Sequence, residues 1–494
     1  MKNIKTCNII GGGTAGFVSA LILKTRFPHV DVQVIRSTKI GIIGVGEGST
    51  EHWAEFMHYI GKTWQDIIVE CDATFKSGIM FEGWSEENFL HSTSGDYAQL
   101  NGQYYHVYGK IIAEKSPKCD MNPKRVWRSK LPSHFTQDKD IHSPFNQFHF
   151  NTHKLNDFLT RTAIEKGIKV IDDEITDVKI DENDEIDIVY GLKNNYKSDF
   201  FIDCTGFSRL LITKLGAKWQ SYNKYLKMKS AIVFPIEEQD EIPIWTLAKA
   251  MDYGWLFRIP VYGRFGNGYI FDSDYINADQ AKQEVDSLFN KDIEIKKQIN
   301  FDPGALNKVW INNCCAVGLC ANFVEPLEAT SIGTTIQQMF LLMHRLPNYT
   351  QKTIEIYNRD ITDIMENIRD FIILHYITKK DNTQFWKDVS KLQIPTSLQD
   401  KLESFKTNLP IEEDFRDISK YALFGAPHYI QILYGLDLFN IEAIKNEYNS
   451  MHPFIKDHAE EVLETVREFD LQQPSLKHKL FLDIIRENHI KKIA

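Results

Sequence analysis

The chain has 494 residues, a formal net charge of −10 and 43% hydrophobic residues. At 100–200 residues per domain this length holds roughly two to four structural units, and 12% aromatic residues supply a large core, so the disordered and fibrous classes are excluded. With 57 basic against 67 acidic residues and no long basic run, the chain lacks the clustered cations that a nucleic-acid surface needs.

The N-terminal strand expected over Ile4 to Ile10 runs straight into Gly11-Gly12-Gly13, which reads as strand and turn rather than a signal peptide. Phe17, Val18, Ala20, Leu21 and Ile22 give an apolar helix that stops near Pro28, and Val30 to Ile35 is a second strand. This βαβ start implies a parallel sheet with crossover helices. A glycine-dense loop follows, with Gly41, Gly44, Gly46 and Gly48. Residues 86–149 are polar and aromatic and read as an elaborated loop or lid. Lys154 to Lys166 is a predicted helix, with strands near Lys169 to Ile171, Ile186 to Tyr190 and Phe200 to Ile202. Residues 229–300 read as a β-rich layer, Cys314 to Val317 as another buried strand, and the chain beyond Thr334 as helical.

No apolar run approaches the ~20 residues of a membrane helix. Seven irregularly spaced cysteines without a C-x-x-C pair support neither a disulfide framework nor a zinc site. Free thiols in a reducing compartment are the expectation, and hence a cytoplasmic protein. No metal, membrane or nucleic-acid partner is expected.

Gly11, Gly13 and Gly16 fit G-x-G-x-x-G between a strand and a helix, with Thr14 and Ala15 in the turn. Glycines allow a pyrophosphate to approach the backbone, and the helix N-terminus offers free N–H groups and a favourable dipole. The acid expected at the end of the second strand is missing, since Arg36 stands there. Arg36 suits a 2′-phosphate, or stacking on the adenosine of a flavin. The turn does not choose between nicotinamide and flavin nucleotides; Asp203-Cys204-Thr205-Gly206, closing a later buried strand, leans towards FAD or is an ordinary strand-end turn.

Several further stretches occur in one order: Gly44-Val45-Gly46-Glu47, Thr74-Phe75-Lys76, Phe148-His149-Phe150, Phe201 to Phe207, Gly254 to Pro260 and Gly266 to Tyr269. The most specific are Phe323-Val324-Glu325-Pro326-Leu327-Glu328-Ala329-Thr330, Ile368-Arg369-Asp370-Phe371, His375-Tyr376 and Phe385-Trp386. Together they resemble the flavin-dependent halogenases of the tryptophan-halogenase type over most of residues 1–390. The resemblance implies an α/β protein of α+β layers: an FAD-binding Rossmann-like box of the flavin monooxygenase type over 1–345, and a helical C-terminal substrate subdomain over 346–494. It also implies that reduced FAD and oxygen oxidise halide to hypohalous acid, which Lys76 directs onto a small electron-rich aromatic of indole or phenol type. Glu328 is implied as the acidic partner, positioning the oxidant or taking the ring proton. Backbone amides near Thr330 and Ser331 would hold the halide. Gly46, Glu47 and Gly318 are implied at the flavin, and a separate flavin reductase as the source of reduced FAD. A homo-oligomer is left open. The Lys, Asn and Ile richness points to an AT-rich genome, such as a phage's.

On residues alone, Lys76 beside an apolar helical stripe of Ile67, Ile68, Cys71 and Phe75 reads as a partly buried amine, and burial lowers a lysine pKa. The chain departs from the family pattern in three places. Trp255-x-Phe257-x-Ile259-Pro260 has Phe for the second Trp of the barrier between flavin and substrate, keeping an aromatic wall without an indole N–H. Ser331 replaces a Gly beside the halide, and Gly46 to Glu51 lacks the usual Thr-Pro. Phe424 to Tyr429 carries none of the contacts that fix free tryptophan, so a different aromatic acceptor is expected; Tyr97, Tyr104, Tyr105, His106 and Tyr108 are candidates to line its pocket, or belong to a lid or an oligomer contact. The rival functions are a flavin-dependent aromatic hydroxylase and a non-catalytic flavin-binding redox sensor. Val317-Gly318-Leu319-Cys320 lacks the acid such hydroxylases carry after the late strand.

Overall fold

The computed structural model describes residues 4–93 apart from 43 and 45, then 99–100, 103–104, 130–132, 146–415, 422–472 and 475–493. Most of the expected 86–149 loop, with Tyr97, Tyr105, His106 and Tyr108, lies outside the described residues. At its start, however, Phe89–Ser92 is a buried strand, so the irregular segment begins later than its composition indicates.

A six-stranded sheet forms the nucleotide half. Its order is Lys169–Asp172, Asp31–Arg36, Thr6–Ile10, Phe200–Asp203, Cys314–Ala316 and Trp310–Ile311. The first five strands run parallel and the last antiparallel. Phe200–Asp203 and Cys314–Ala316 are buried at every position, as a sheet covered by helices on both faces requires. The Thr14–Arg26 helix packs against Thr152–Glu165 and Thr330–Arg345. Gly11, Arg36, Asp203 and Gly318 all follow the carboxyl ends of parallel strands, where open α/β sheets bind ligands.

The second layer is a seven-stranded sheet in the order Lys297–Asn300, Ser230–Glu237, Arg264–Phe271, Gly254–Val261, Trp245–Met251, Gly78–Glu82 and Phe89–Ser92. Only the Gly78–Glu82 and Trp245–Met251 pair is parallel. A small antiparallel sheet of Glu47–Gly48, Gln147–Phe150 and Thr74–Lys76 joins the halves. Lys76 ends its strand in that small sheet, and two residues later the chain enters the large one. Gly78 permits the crossing, because a Cβ there would lie 2.2 Å from the His91 carbonyl oxygen.

Beyond the Thr330–Arg345 helix the chain is mainly helical, with a 25-residue helix over Gln351–His375. One hydrophobic core runs continuously from Cys7 to Ile485, so these helices share it with the sheets. Among the described residues no helix is long and apolar enough to cross a membrane, and no group of three ligating side chains is arranged for a metal.

Candidate active site

At the nucleotide end the backbone makes the site. Gly11 has φ +119°, and a Cβ there would meet the Cys204 carbonyl oxygen at 2.1 Å; one on Gly16 would meet the Gly11 oxygen at 1.9 Å. Gly13, by contrast, faces open space, with no atom within 4 Å of a built Cβ. It caps the Thr14–Arg26 helix with no side-chain hydrogen bond, and the first turn carries no acid. The free N–H groups therefore face an open cradle, which suits a pyrophosphate. Arg36 runs its stem over Gly12, donates to Thr160 Oγ1 at 3.3 Å and lies 5.7 Å from the Phe17 ring centre. Gly46 packs on Ile259 of the barrier strand. Glu47 beside it is half-buried next to Thr14, and its partial removal from water pushes its carboxyl up to about 7 against the hydrogen bond from Thr14. Gly318 closes the cradle, since a Cβ there would lie 2.6 Å from that of Ala15.

Asp203 plays a different part. Its oxygens accept from the backbone N–H groups of Thr205, Leu211 and Ile212 and from Thr205 Oγ1, at 2.7–3.1 Å. This carboxylate is spent on folding the turn that holds Cys204 against Gly11.

The other end of the site is built from buried polar side chains. Lys76 is 1% exposed, and its Nζ donates to the Ser49 carbonyl oxygen at 3.0 Å. Burial brings the amine down to about 8, with the negative charges of Glu328 and Glu51 opposing the shift. It sits on the strand Thr74–Lys76, and the expected helical stripe beside it is shorter than its spacing indicates: the helix that carries Ile67 and Ile68 ends at Glu70, Asp72 turns the chain at φ +48°, and Phe75 shares the strand with Lys76.

His149, beside this strand, shows how the surroundings avoid a second cation. Thr74 Oγ1 gives its proton to the Pro260 carbonyl at 2.6 Å, so at 3.0 Å it accepts from His149 Nδ1. His149 Nε2 lies 2.9 Å from Thr246 Oγ1, which can donate to it when the ring is neutral. Burial first, then the Lys76 charge, holds its pKa well below the usual value. Behind Lys76, His478 of the C-terminal helix accepts the Phe75 N–H at 3.2 Å.

Glu328 ends a short turn, Pro326–Glu328, from which Ala329 at φ +55° swings the chain into the Thr330–Arg345 helix. Its carboxylate contacts His91 Nδ1 at 2.9 and 3.0 Å and His375 Nε2 at 2.9 Å. Burial alone would push this carboxyl up, but the His91 charge and the bonds from both imidazoles hold it far below the usual range. The helix after it opens with Thr330 and Ser331, has no side-chain cap and no acid in its first turn. Loop 48–50 lies against that N-terminus, with Gly48 near Ala329 and Thr50 against Gly333. Lys76, held by Ser49, and the uncapped amides are thus neighbours.

Trp255 and Phe257 share one face of their strand, with ring centres 6.1 Å apart. Trp255 Nε1 donates to Glu325 Oε2 at 3.5 Å, and the Phe257 ring fills the space over Gly268. The fold therefore brings Lys76, Glu328, Thr330 and Ser331 together on one side, and Gly11, Gly13, Thr14, Ala15, Gly16, Glu47 and Gly318 together on the other. The histidines around Glu328 escaped sequence reasoning: His375 stood in a quoted motif without a role, and nothing local marks His91.

The family model for tryptophan halogenase matches residues 6–447. The chain is 31% identical to a 7-chloro-L-tryptophan 6-halogenase from Kutzneria sp. (strain 744) over 445 residues, covering 82% of this chain and 86% of that protein. It is 29% identical to a tryptophan 6-halogenase from Streptomyces toxytricini over 466 residues, covering 86% and 88%. In three dimensions it is similar to a tryptophan halogenase from Shewanella frigidimarina, with a TM-score of 0.88 and 26% identity over 98% of each chain. These likenesses decide against the hydroxylase and the non-catalytic sensor. The chain belongs to the tryptophan halogenase family and is a flavin-dependent halogenase, an enzyme of the oxidoreductase class.

Proposed function

We propose that this enzyme halogenates a small electron-rich aromatic, of indole or phenol type, with Lys76 delivering the halogen and Glu328 taking up the ring proton. Gly11, Gly13, Thr14, Ala15, Gly16, Arg36, Gly46, Glu47 and Gly318 would hold FAD, whose reduced form, renewed by a separate flavin reductase, supplies with oxygen the oxidising equivalents that turn halide into hypohalous acid. The amides of Thr330 and Ser331 offer the halide an uncapped helix N-terminus. Trp255 and Phe257 stand as the wall that keeps flavin and aromatic apart.

The observation that carries this reading is the burial of the Lys76 amine, held by the Ser49 carbonyl beside the uncapped Thr330–Arg345 helix. An amine near pKa 8 is partly neutral at physiological pH, and a neutral amine is the nucleophilic form that hypohalous acid can meet. Glu328 remains ionised while buried, so it is ready to accept a proton. The relatives named above act on tryptophan or a chlorotryptophan, which supports an indole acceptor here.

The test supplies purified protein with FAD, a reductase and its nicotinamide, oxygen, bromide and a panel of indoles and phenols, with products read by mass spectrometry. Products bearing the paired bromine isotope pattern are expected. Hydroxylated products without bromine would overturn the reading.

A further inference from the structure

The carboxylate of Glu328 is the centre of a chain of imidazoles. His375 Nδ1 lies 2.8 Å from the Phe371 carbonyl oxygen, a contact only an N–H can make. Its Nε2 faces Glu328 Oε1 at 2.9 Å, so with the carboxylate ionised His375 carries both protons. His91 presents Nδ1 to the same carboxylate and Nε2 to His428 Nδ1 at 2.9 Å. One proton bridges that last pair, and its owner decides the charge of His91.

His428 comes from the Ala426–Gly435 helix, beyond the motifs that mark the other site residues. Its place is nevertheless fixed from two sides. Gln431 of the same helix pairs with the backbone of Ser92, next to His91, accepting at 2.8 Å and donating at 3.2 Å. Asn367 holds the preceding segment by bonds to the backbone of Leu423 and Phe424 at 2.9–3.0 Å. Phe371 and Phe424 stack beside the pair and exclude water, which strengthens every charge interaction inside.

We propose that His428 is a positioning residue of the reaction: by accepting the Nε2–H of His91 it keeps that imidazole doubly protonated and aimed at Glu328. The proposal rests on the reading of Glu328 as acceptor of the ring proton. The groups facing this carboxylate are His91 from the Phe89–Ser92 strand, His375 from the Gln351–His375 helix and, by its charge, Lys76 from the Thr74–Lys76 strand. His428 acts on it only through His91. Burial and the charge of His91 lower the His428 pKa to about 3, consistent with a neutral acceptor.

Three forms of the FAD-loaded protein test this: the unaltered enzyme, His428→Leu and His428→Gln. Leucine leaves the His91 Nε2–H without an acceptor, so His91 gives up that proton and Glu328 loses a facing cation. Its carboxyl then rises and the acid limb of kcat/KM for bromination moves up by about one pH unit; separately, the weaker bond from a neutral His91 holds the carboxylate less firmly in place, and the rate at neutral pH falls about tenfold, the scale of one charged hydrogen bond. Peroxide release by the flavin is unchanged. Glutamine offers a carbonyl acceptor and restores the profile. Nitrogen NMR of the labelled imidazoles shows both His91 nitrogens protonated at pH 7 in the unaltered enzyme and in His428→Gln, and does not require turnover. A neutral His91 in an enzyme that brominates, or Leu and Gln variants with the same pH profile, overturns the proposal alone. A doubly protonated His91 in an enzyme that forms no brominated product overturns the halogenase reading and, with it, the part of His428 in the reaction. If the Leu variant does not fold, the spectra of the other two forms still decide.

Discussion

The two ends of the site are built by different means. The flavin end is backbone: glycines where any Cβ would collide with main chain at about 2 Å, a helix terminus without a cap, and strands that all finish at one edge. The reaction end is side chain: Lys76, Glu328, His91, His375 and His428 come from five separate elements, and almost all are buried. A backbone cradle is specified by neighbours in sequence and binds through fixed dipoles. A cluster of buried charges exists only when the whole fold closes, and its protonation states come from mutual contact. The first gives binding, the second gives reactivity, and a substitution at one end should leave the other's part intact.

The largest effect is expected from Lys76→Ala. Halogenation should fall by at least about a hundredfold, the scale of one general acid–base or nucleophilic group, while FAD affinity and flavin oxidation stay intact. Loss of FAD binding in that variant would break the separation of the two ends. Glu328→Gln removes the anion between two imidazoles and should cost about 3 kcal/mol of stability by denaturant unfolding, as breaking buried charge pairs does. It should also lower the Lys76 pKa below about 8, since the Glu328 charge is what opposes the burial shift.

The opposite end is probed by Gly11→Ala. Its Cβ would meet the Cys204 carbonyl oxygen at 2.1 Å and the Cys204 Cβ at 3.2 Å, and φ is +119°, so roughly 2 kcal/mol of strain is expected, with weaker FAD binding by titration. Product distribution with the cofactor saturating should not change. A smaller effect concerns His478, whose burial lowers its pKa to about 4 from the ordinary 6.5. A base held neutral in the fold stabilises it above pH 6.5 and loses that contribution as pH falls towards 4. On the order of 3 kcal/mol is at stake, and His478→Gln should flatten the acid limb of stability between those values.

The contrast also explains what the sequence shows. Gly11 to Gly16, with a strand before and a helix after, announce a nucleotide turn within a dozen residues. Lys76 and Glu328 can be named only because a family pattern marks them; residue type alone sets the lysine beside a helical stripe, whereas Asp72 breaks that helix and both Phe75 and Lys76 lie on a strand. Asp203 shows the limit in another way, as its strand end is legible but the turn it folds consumes its oxygens. His91 lies 237 residues from Glu328, and no local periodicity relates residues that far apart. The Ser49 carbonyl, which holds the amine, is main chain and carries no sequence signal at all.

The central claim is that burial makes Lys76 a partly neutral amine at physiological pH. The most direct measurement is an NMR titration of its labelled Nζ in the FAD-loaded enzyme. A midpoint near 8 is the expected result; a midpoint at the ordinary 10.5 would leave the amine charged through the working range and contradict the account.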